Sequence, residues 1–210
     1  AFFDYDNDGW LDLLTVNGGV AIVEAQARAG DRFPYRMTNQ LFRNAGNGRF
    51  EDVTARAGVV FDLPHVGRGA AFGDIDNDGD TDVLVGNDAG PVQLLVNTVG
   101  QRNRWIGVRL IGNSLRSASP ARGTAARPRG RDMLGARVGI VLQDGRTIWR
   151  RVRADGSYAS ANDPRVLVGL GAAGEATAIR VRWPDGRIEQ WKGVPAGRYT
   201  TLEQGTGVRP

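Results

Sequence analysis

The amino-acid sequence predicts an all-β chain in which an incomplete set of propeller-type blades precedes a C-terminal β-sandwich. Glycine accounts for 30 of the 210 residues, and its frequent occurrence in turns favours many short strands over helices. The charge also divides in two. Residues 1–98 contain 7 arginines and 15 acidic residues, whereas residues 99–210 contain 20 basic and 8 acidic residues. This asymmetry predicts two domains, 1–100 and 101–210.

Two acidic loops, DYDNDGWLD at 4–12 and DIDNDGDTD at 74–82, are the motifs that carry chemistry. Carboxylates a few Å apart repel one another unless a cation lies between them. Calcium accepts roughly six to eight oxygen ligands, and a loop with oxygens at alternate positions can wrap around it. We therefore predict two Ca²⁺ sites, the first formed by Asp4, Asp6, Asp8, the backbone carbonyl of Trp10 and Asp12, and the second formed by Asp74, Asp76, Asp78, the backbone carbonyl of Asp80 and Asp82.

These loops differ from an EF-hand in the residues beyond the ninth position. An EF-hand has Glu at its twelfth position, where this chain has Thr15 and Val85. The segments that end the loops and continue past them, LDLLTVN and TDVLVGN, are apolar and β-branched, which predicts buried strands. Gly9 and Gly79 stand where the sharp turn needs a residue without Cβ. A solvated acidic turn is the alternative, which the second copy weakens, and magnesium would need a smaller octahedral site.

The first half is an internal repeat, because residues 1–17 and 71–87 match at ten positions. A second correspondence, LFRNAGNG at 41–48 with LLVNTVGQ at 94–101, has an offset of 53 instead of 70, so the first copy contains a 17-residue insertion. Within the insertion, VEAQARA predicts one or two helical turns. Each copy is expected to form four antiparallel strands, as in a propeller blade, with Asn47-Gly48 in a hairpin turn.

The second half reads as short strands separated by turns, which is typical of a β-sandwich. The turns are marked by Asp144-Gly145 and by Pro184-Asp185-Gly186. Residues 114–132, rich in Arg, Ala, Ser, Pro and Gly, predict a flexible loop. Three tryptophans are expected to face the sandwich core: Trp149, Trp183 and Trp191.

The first half resembles FG-GAP/VCBS repeats, the calcium-binding propeller blades of many secreted proteins, in the segments FFDYDNDGWLDLL, LFRNAGNGRFEDVTARAGV and AFGDIDNDGDTDVLVGN. The second half resembles the ASPIC/UnbV domain that comes after such repeats in the cartilage acidic protein family, in the segments LGARVGIVLQDGR, GSYASANDPRVLVGLG and IRVRWPDGRIEQW. The resemblance implies a secreted or cell-surface protein with calcium in the acidic loops. It implies no settled biochemical activity for the bacterial members.

The number of blades is small for this family, whose closed propellers have about seven. In the second copy HVGRGA supplies a lead-in strand, whereas the first copy starts at Ala1 without one, so residues 1–98 are expected to hold about one and a half such units and to leave sheet edges open. We therefore expect either a fragment of a longer protein or a subunit whose neighbours supply strands to a fibre or ring.

The composition excludes several kinds of chemistry. Without cysteine there can be no disulfide and no thiolate metal site. No apolar run reaches the roughly 18 residues that a membrane-spanning helix needs. The arginines alternate along predicted strands such as WRRVRAD and IRVRWPDGR and are not grouped with exposed aromatic residues, so nucleic acid is a disfavoured partner. A solvated strand face, or contact with an acidic neighbour, is expected there.

Three functions are compatible with these residues. We favour a non-catalytic, extracellular interaction or adhesion module that is stabilised by calcium and binds a protein or glycan partner. The second is a subunit of a self-assembling extracellular filament, whose partners are copies of itself. A calcium-dependent hydrolase comes last, because the one histidine, His65, lies in a loop and GSYAS, with Ser157, Tyr158 and Ser160, has no evident base. We assign no catalytic residue and expect that the chain is not an enzyme.

Overall fold

The computed structural model describes residues 1–112, 130–172 and 174–210. Within them the chain forms fourteen β-strands in four sheets and one short α-helix. The prediction of an all-β chain is confirmed, and no sheet closes into a barrel among the described residues. Most of the predicted flexible loop 114–132 lies outside the described residues.

The first sheet is an antiparallel meander that contains the first acidic loop. Its strands are β1 (Phe2–Phe3), β2 (Asp12–Thr15), β3 (Gln40–Asn44) and β4 (Phe50–Asp52). The hairpin between β3 and β4 turns through Gly46 and Gly48, whose φ angles of 74° and 79° favour glycine. Between β2 and β3 lies the helix α1 (Glu24–Arg28). The four strands, the hairpin and the helical turns predicted for the first copy are thus confirmed.

The second sheet has three strands where four were predicted. They are β5 (Gly67–Gly73), β6 (Asp82–Asn87) and β7 (Gln93–Leu95), paired antiparallel in chain order. The repeat offset places the fourth strand at 103–105, but these residues lead into β8 (Arg104–Ile111), which pairs within the sandwich. The prediction of four strands is wrong for the second copy, because the residues at the position of its fourth strand belong to β8, the first strand of the sandwich.

One apolar core joins these two sheets. The strand after each acidic loop contributes to it. Leu14 lies two positions after Asp12, and Val83 directly follows Asp82. Folding of the loops and packing of the core are therefore linked. The buried members are Leu14, Leu41, Val53, Phe61, Ala70, Val83 and Val85.

The second half forms the predicted β-sandwich, with sheets in the orders β10–β9–β12–β13 and β11–β8–β14. The remaining strands are β9 (Arg137–Leu142), β10 (Thr147–Arg151), β11 (Val166–Gly171), β12 (Ala176–Arg182), β13 (Ile188–Lys192) and β14 (Tyr199–Glu203). Only β14 and β8 run parallel among the described pairs. Valine, isoleucine and leucine side chains from both sheets fill the space between them. Gly145 and Gly186, with φ of 87° and 86°, lie in the predicted turns.

The three tryptophans divide between core and surface. Trp183 is 2% exposed, and Trp191 packs against the same core with its ring centroid 6.4 Å from that of Trp183. Trp149 is 39% exposed, so the prediction that it faces inward is wrong. Side chains alternate along β10, and Ile148 takes the inward position. Trp149 therefore lies on the outer face, over Gly139.

We predict that Trp183→Ala and Trp149→Ala have very different effects on stability. Loss of the buried indole leaves a cavity in the sandwich core and should lower the free energy of unfolding by about 3–5 kcal/mol. Loss of the half-exposed indole should cost about 1 kcal/mol or less. Denaturant unfolding monitored by circular dichroism measures both. Similar losses for the two variants would contradict the outward placement of Trp149.

Candidate metal centre

The two acidic loops have the same backbone conformation. Asn7 and Asn77, at the fourth position, have φ angles of 56° and 63°. Gly9 and Gly79, at the sixth, have φ angles of 93° and 95°. Asparagine and glycine are the residues that tolerate the left-handed region best. The repeated sequence therefore folds into a repeated geometry, which a merely acidic composition would not require.

The loops also share one set of hydrogen bonds. The amide of Gly9 donates to Asp4 Oδ2 at 3.0 Å, and that of Gly79 donates to Asp74 Oδ2 at 3.0 Å. The aspartate at the ninth position of each loop accepts a hydrogen bond from one backbone amide on each of its two oxygens. For Asp12 these are Tyr5 at 3.0 Å and Asn44 at 2.8 Å.

Asp82 repeats this arrangement, with amides of Ile75 at 3.0 Å and Asn97 at 2.8 Å. Asp12 and Asp82 are almost fully buried. Each of them ties the start of its own loop to the end of the next strand, since Asn44 is the last residue of β3 and Asn97 lies two residues after β7. Their role in this structure is to fasten the loop, and ligation of a cation by the same carboxylates stays a prediction.

The structure brings part of each predicted ligand set together. Carboxylate oxygens of Asp4, Asp6 and Asp8 lie within 4.8 Å of one another. In the second loop the group is Asp74, Asp76 and Asp82. These groupings leave out Asp12 and Asp78.

The seventh residue of each loop was predicted to offer its backbone carbonyl. Its amide is held by the fifth residue, because Trp10 N–H donates to Asp8 Oδ1 at 2.8 Å and Asp80 N–H donates to Asp78 Oδ1 at 3.1 Å. The peptide of the seventh residue thus lies against the aspartate at the fifth position in both loops. The carbonyl ligands themselves stay a prediction.

One oxygen of the first aspartate in each loop is left without a partner. Asp4 Oδ1 and Asp74 Oδ1 are both buried, and no described donor reaches either of them. Burial raises the pKa of Asp4 to about 7, against the opposing effect of the Arg150 guanidinium. Burial also raises the pKa of Asp74, although Tyr199 and Gly79 donate to it. A cation beside these oxygens would satisfy both atoms and favour the ionised form, so the residues present fit a metal ion.

The two loops differ in the charges around them, which the motif spacing alone did not predict. Arg43 Nε lies 2.8 Å from Asp6 Oδ2, and Arg43 Nη2 lies 3.1 Å from Asp8 Oδ2. The equivalent position in the second copy is Val96. Aligning residues 41–48 with 94–101 places Arg43 opposite Val96, so the sequence repeat contained the signal for this difference.

The seventh position also differs between the loops. It is the half-exposed Trp10 in the first loop and the fully buried Asp80 in the second. Both carboxylate oxygens of Asp80 lack a described partner, and burial with repulsion from Asp78 raises its pKa to about 7. Three aspartates are buried in each loop, but the second loop has five carboxylates against four in the first, and it lacks the equivalent of Arg43.

Asn7 connects the two loops and the sandwich. Its buried side-chain amide donates to the carbonyl of Gly79 at 2.7 Å and to that of Gly100 at 3.1 Å. Its own carbonyl accepts the amide of Gly171 at 2.9 Å. A Cβ on Gly169 would overlap the backbone of Asn7, so this approach requires glycine on β11.

Side chains of the sandwich reach both loops. Tyr199 Oη donates to Asp74 Oδ2 at 3.0 Å, and Arg165 Nη2 donates to the Asp74 carbonyl at 2.7 Å. Arg150 Nη2 donates to the Gly9 carbonyl at 2.8 Å. The candidate metal centre is thus part of the contact between the two halves of the chain.

The residues considered for catalysis have structural contacts instead. Ser157 Oγ accepts the amide of Ala70 at 3.1 Å, and Ser160 Oγ donates to the Tyr158 carbonyl at 2.9 Å. His65 exchanges backbone hydrogen bonds with Met37. Neither serine hydroxyl bonds to His65 among the described contacts. Together with Asn162 and Asp163, which bond to Phe72, this segment covers the free edge of β5.

Comparison with known families agrees with this arrangement. Residues 4–85 match the sequence model of the FG-GAP-like repeat, and residues 126–209 match that of ASPIC and UnbV. The chain therefore carries an FG-GAP-like repeat and, after it, an ASPIC and UnbV domain, as the resemblance predicted.

Among curated proteins the chain is similar to cartilage acidic protein 1. The identity is 51% over 57 residues for Mus musculus and 49% over 57 residues for Homo sapiens, which is 27% of this chain and 8% of each relative. For Xenopus tropicalis it is 42% over 65 residues, 30% of this chain and 10% of the relative. The matched stretch thus spans a tenth or less of these relatives. No helix in the described part of the chain has the length and apolarity to cross a membrane.

We predict that Gly79→Ala is more destabilising than Gly186→Ala. Both glycines have positive φ, so each substitution carries a conformational cost of about 1–2 kcal/mol. At Gly79 the new Cβ would also overlap the indole of Trp105, whereas nothing lies within 4 Å at Gly186. Chemical unfolding should show a further loss of at least about 1 kcal/mol for Gly79→Ala. Equal losses would contradict the close packing of the second loop on the sandwich.

Proposed function

We propose that the chain is a calcium-stabilised, non-catalytic interaction module that acts outside the cell. The observation that carries the proposal is the pair of buried, unpartnered oxygens, Asp4 Oδ1 and Asp74 Oδ1, at the same position of two loops with the same geometry. A divalent cation accounts for both atoms and for the crowding of the carboxylates around them.

Calcium suits these loops better than magnesium. The donors are all oxygens, carboxylates together with the predicted backbone carbonyls, which is the ligand type that hard cations prefer. Magnesium demands near-octahedral geometry and keeps several waters, whereas calcium tolerates a larger and irregular set of protein oxygens. Loops of nine residues with aspartates at alternate positions can supply such a set.

The role proposed for calcium is structural. In each loop the backbone amides already hold the carboxylates, and the loops contact the sandwich through Asn7, Tyr199 and Arg165. A cation in the loops would therefore stabilise the contact between the two halves as well as the loops. Such a module would present its exposed faces to a partner.

A location outside the cell agrees with two features. Metal sites on short loops are suited to the millimolar calcium of extracellular fluids. The curated relatives are named for cartilage. Binding of a protein or glycan is the activity proposed for the module.

We expect that calcium raises the melting temperature and that EDTA lowers it. Binding at a hundredfold excess over Kd stabilises the folded state by about 2.7 kcal/mol per site, which for a chain of this size corresponds to a shift of about 5–10 °C. Differential scanning calorimetry with calcium, magnesium or EDTA measures the shift. Identical melting in calcium and EDTA would exclude calcium as a structural ligand.

Asp74→Asn provides the site-directed arm of this experiment, and Asp88→Asn is its matched control. Both remove one negative charge, but Asp88 is exposed and lies outside the loops. The calcium-dependent shift should fall for Asp74→Asn and stay at the wild-type value for Asp88→Asn.

We expect that the second loop binds calcium more tightly than the first. Arg43 already occupies the carboxylates of Asp6 and Asp8, whereas the second loop has the additional carboxylate of Asp80. Arg43→Gln should therefore raise the affinity of the weaker site several-fold and leave the stronger site unchanged. Isothermal titration calorimetry resolves the two sites.

The control for that variant is Arg56→Gln, since Arg56 pairs with Glu51 away from both loops. An equal change in both variants, or a change in the tighter site alone, would contradict the assignment of Arg43 to the first site.

A second candidate is a subunit that assembles with copies of itself. The outer edge of β7 favours it, because Leu94 and the flanking Val92 and Val96 are 48%, 62% and 52% exposed. If another copy adds a strand there, sedimentation should show particles larger than the 22.6 kDa chain, and Leu94→Lys should dissociate them. A monomer at every concentration would remove this candidate.

A further inference from the structure

One face of the sandwich carries five basic side chains on its strands and no acidic one. Side chains alternate along β9, β10, β12 and β13, and the register identifies those that share the outer face. Glu189, the one acidic residue of these strands, is buried and accepts the amide of Gly205. We name the outer face the basic sheet face, and its charged and aromatic members are Arg137, Arg151, Arg180, Arg182, Lys192 and Trp149.

Three of its arginines stand side by side. Arg137 on β9 lies directly opposite Arg151 on one side and Arg182 on the other. Adjacent strands are about 4.8 Å apart, so the row spans roughly 10 Å. Like charges directly opposite one another are destabilising. Folding therefore retains a repulsion that an anionic ligand would relieve.

Few carboxylates offset these charges. Arg151 lies 3.5 Å from Asp155, and both side chains are more than half exposed. Among the described residues no carboxylate lies within the 4.0 Å of an ion pair from Arg137 or Arg182. Exposed ion pairs contribute about 1 kcal/mol or less, so even Arg151 remains able to bind another anion.

Trp149 lies among these arginines. Its indole rests on Gly139, where a Cβ would lie 2.9 Å from the ring atoms, and the guanidinium carbon of Arg137 is 5.7 Å from the ring centroid. The ring is 39% exposed. The expectation that the arginines are not grouped with an exposed aromatic residue is therefore wrong. An exposed aromatic ring beside cations can pack against the C–H face of a sugar.

A cavity of about 640 Å³ adjoins this face, and its lining includes Trp149, Arg137 and Arg151. Asp4, Asp74 and Asp163 also line it, and two of its other arginines lie beside these carboxylates: Arg165 is 2.6 Å from Asp163, and Arg150 is 3.9 Å from Asp4. The cavity is therefore mixed in charge, and the uniformly basic surface is the outer face of the sheet.

We propose that the basic sheet face binds an anionic polysaccharide that carries sulfate or carboxylate groups. The guanidinium groups of the row can form paired hydrogen bonds with such groups, and Trp149 packs on a sugar ring between them. This inference names a partner for the interaction module and rests on that proposed role, but it does not require calcium in the loops.

Two other polyanions fit the face less well. Single-stranded nucleic acid is bound by several aromatic side chains on which successive bases stack, and this face offers one. An acidic peptide would need apolar pockets at the centre of the interface, whereas the apolar side chains on this face are few, the larger ones being Trp149, Ile188 and the half-buried Val141. A glycan with dense charge needs closely spaced cations, which the row of arginines provides.

The test measures binding of a size-defined heparin oligosaccharide to the full, calcium-loaded chain at about 0.15 M salt. Arg137→Ala/Arg182→Ala should lower the affinity by about tenfold or more and reduce its dependence on salt. Arg28→Ala/Arg56→Ala is the control, because it removes the same charge from exposed positions in the first half. Equal losses in the two double variants, or no binding of heparin by the wild type, would overturn the proposal.

A second comparison separates a glycan site from a general attraction of polyanions. Poly-glutamate and an oligo-dT strand of equal charge should bind more weakly than heparin, and Trp149→Ala should weaken heparin binding alone. Tighter binding of either competitor would assign the face to that class and overturn the glycan proposal. Melting in calcium and EDTA is measured on the same samples, so that failure of the calcium proposal appears there and failure of this one appears in heparin binding.

Discussion

Burial of crowded carboxyl groups is the constraint on which the first half of the structure depends. In each acidic loop, amides of the loop itself bond to one oxygen on each of four aspartates, in a turn that contains a left-handed asparagine and a left-handed glycine. One buried oxygen on Asp4, one on Asp74 and both on Asp80 have no described partner. Since each loop leads directly into a core strand, an unfavourable loop would weaken the core behind it.

The same loops form the junction of the two halves. Asn7 places its side chain on the second loop and its carbonyl on β11, while Tyr199 and Arg165 of the sandwich contact Asp74. A change in the charge of the loops is therefore transmitted to the contact between the halves. The sandwich meanwhile covers the edge of β5 and leaves its own basic sheet face exposed.

Local patterns in the sequence were sufficient for much of this fold. The spacing of aspartates predicted both loops, alternation and turn glycines predicted the strands of the sandwich, and the repeat predicted the first four-strand sheet. The errors share a cause, since each depends on contacts between distant residues. The residues expected to form the fourth strand of the second copy belong to the sandwich through β8. The outward orientation of Trp149 follows from Ile148, which packs inward against strands that are distant in the sequence.

The candidate site shows the same division. The aspartates were identified from spacing alone, but Arg43 and the side chain of Asp80 were not, because their effect depends on which groups surround them after folding. Asn7 lies inside the motif, and its contacts to Gly79 and Gly171 could not be inferred from it. The grouping of arginines around Trp149 became visible only when the strand register was known.

Anomalous diffraction from crystals grown with calcium tests the central claim most directly. The account predicts two peaks, one among the carboxylates of Asp4, Asp6 and Asp8 and one among those of Asp74, Asp76 and Asp82. The ion should lie within about 2.3–2.6 Å of its oxygen ligands, including Asp4 Oδ1 and Asp74 Oδ1. Crystals in millimolar calcium without a peak in either loop would contradict it.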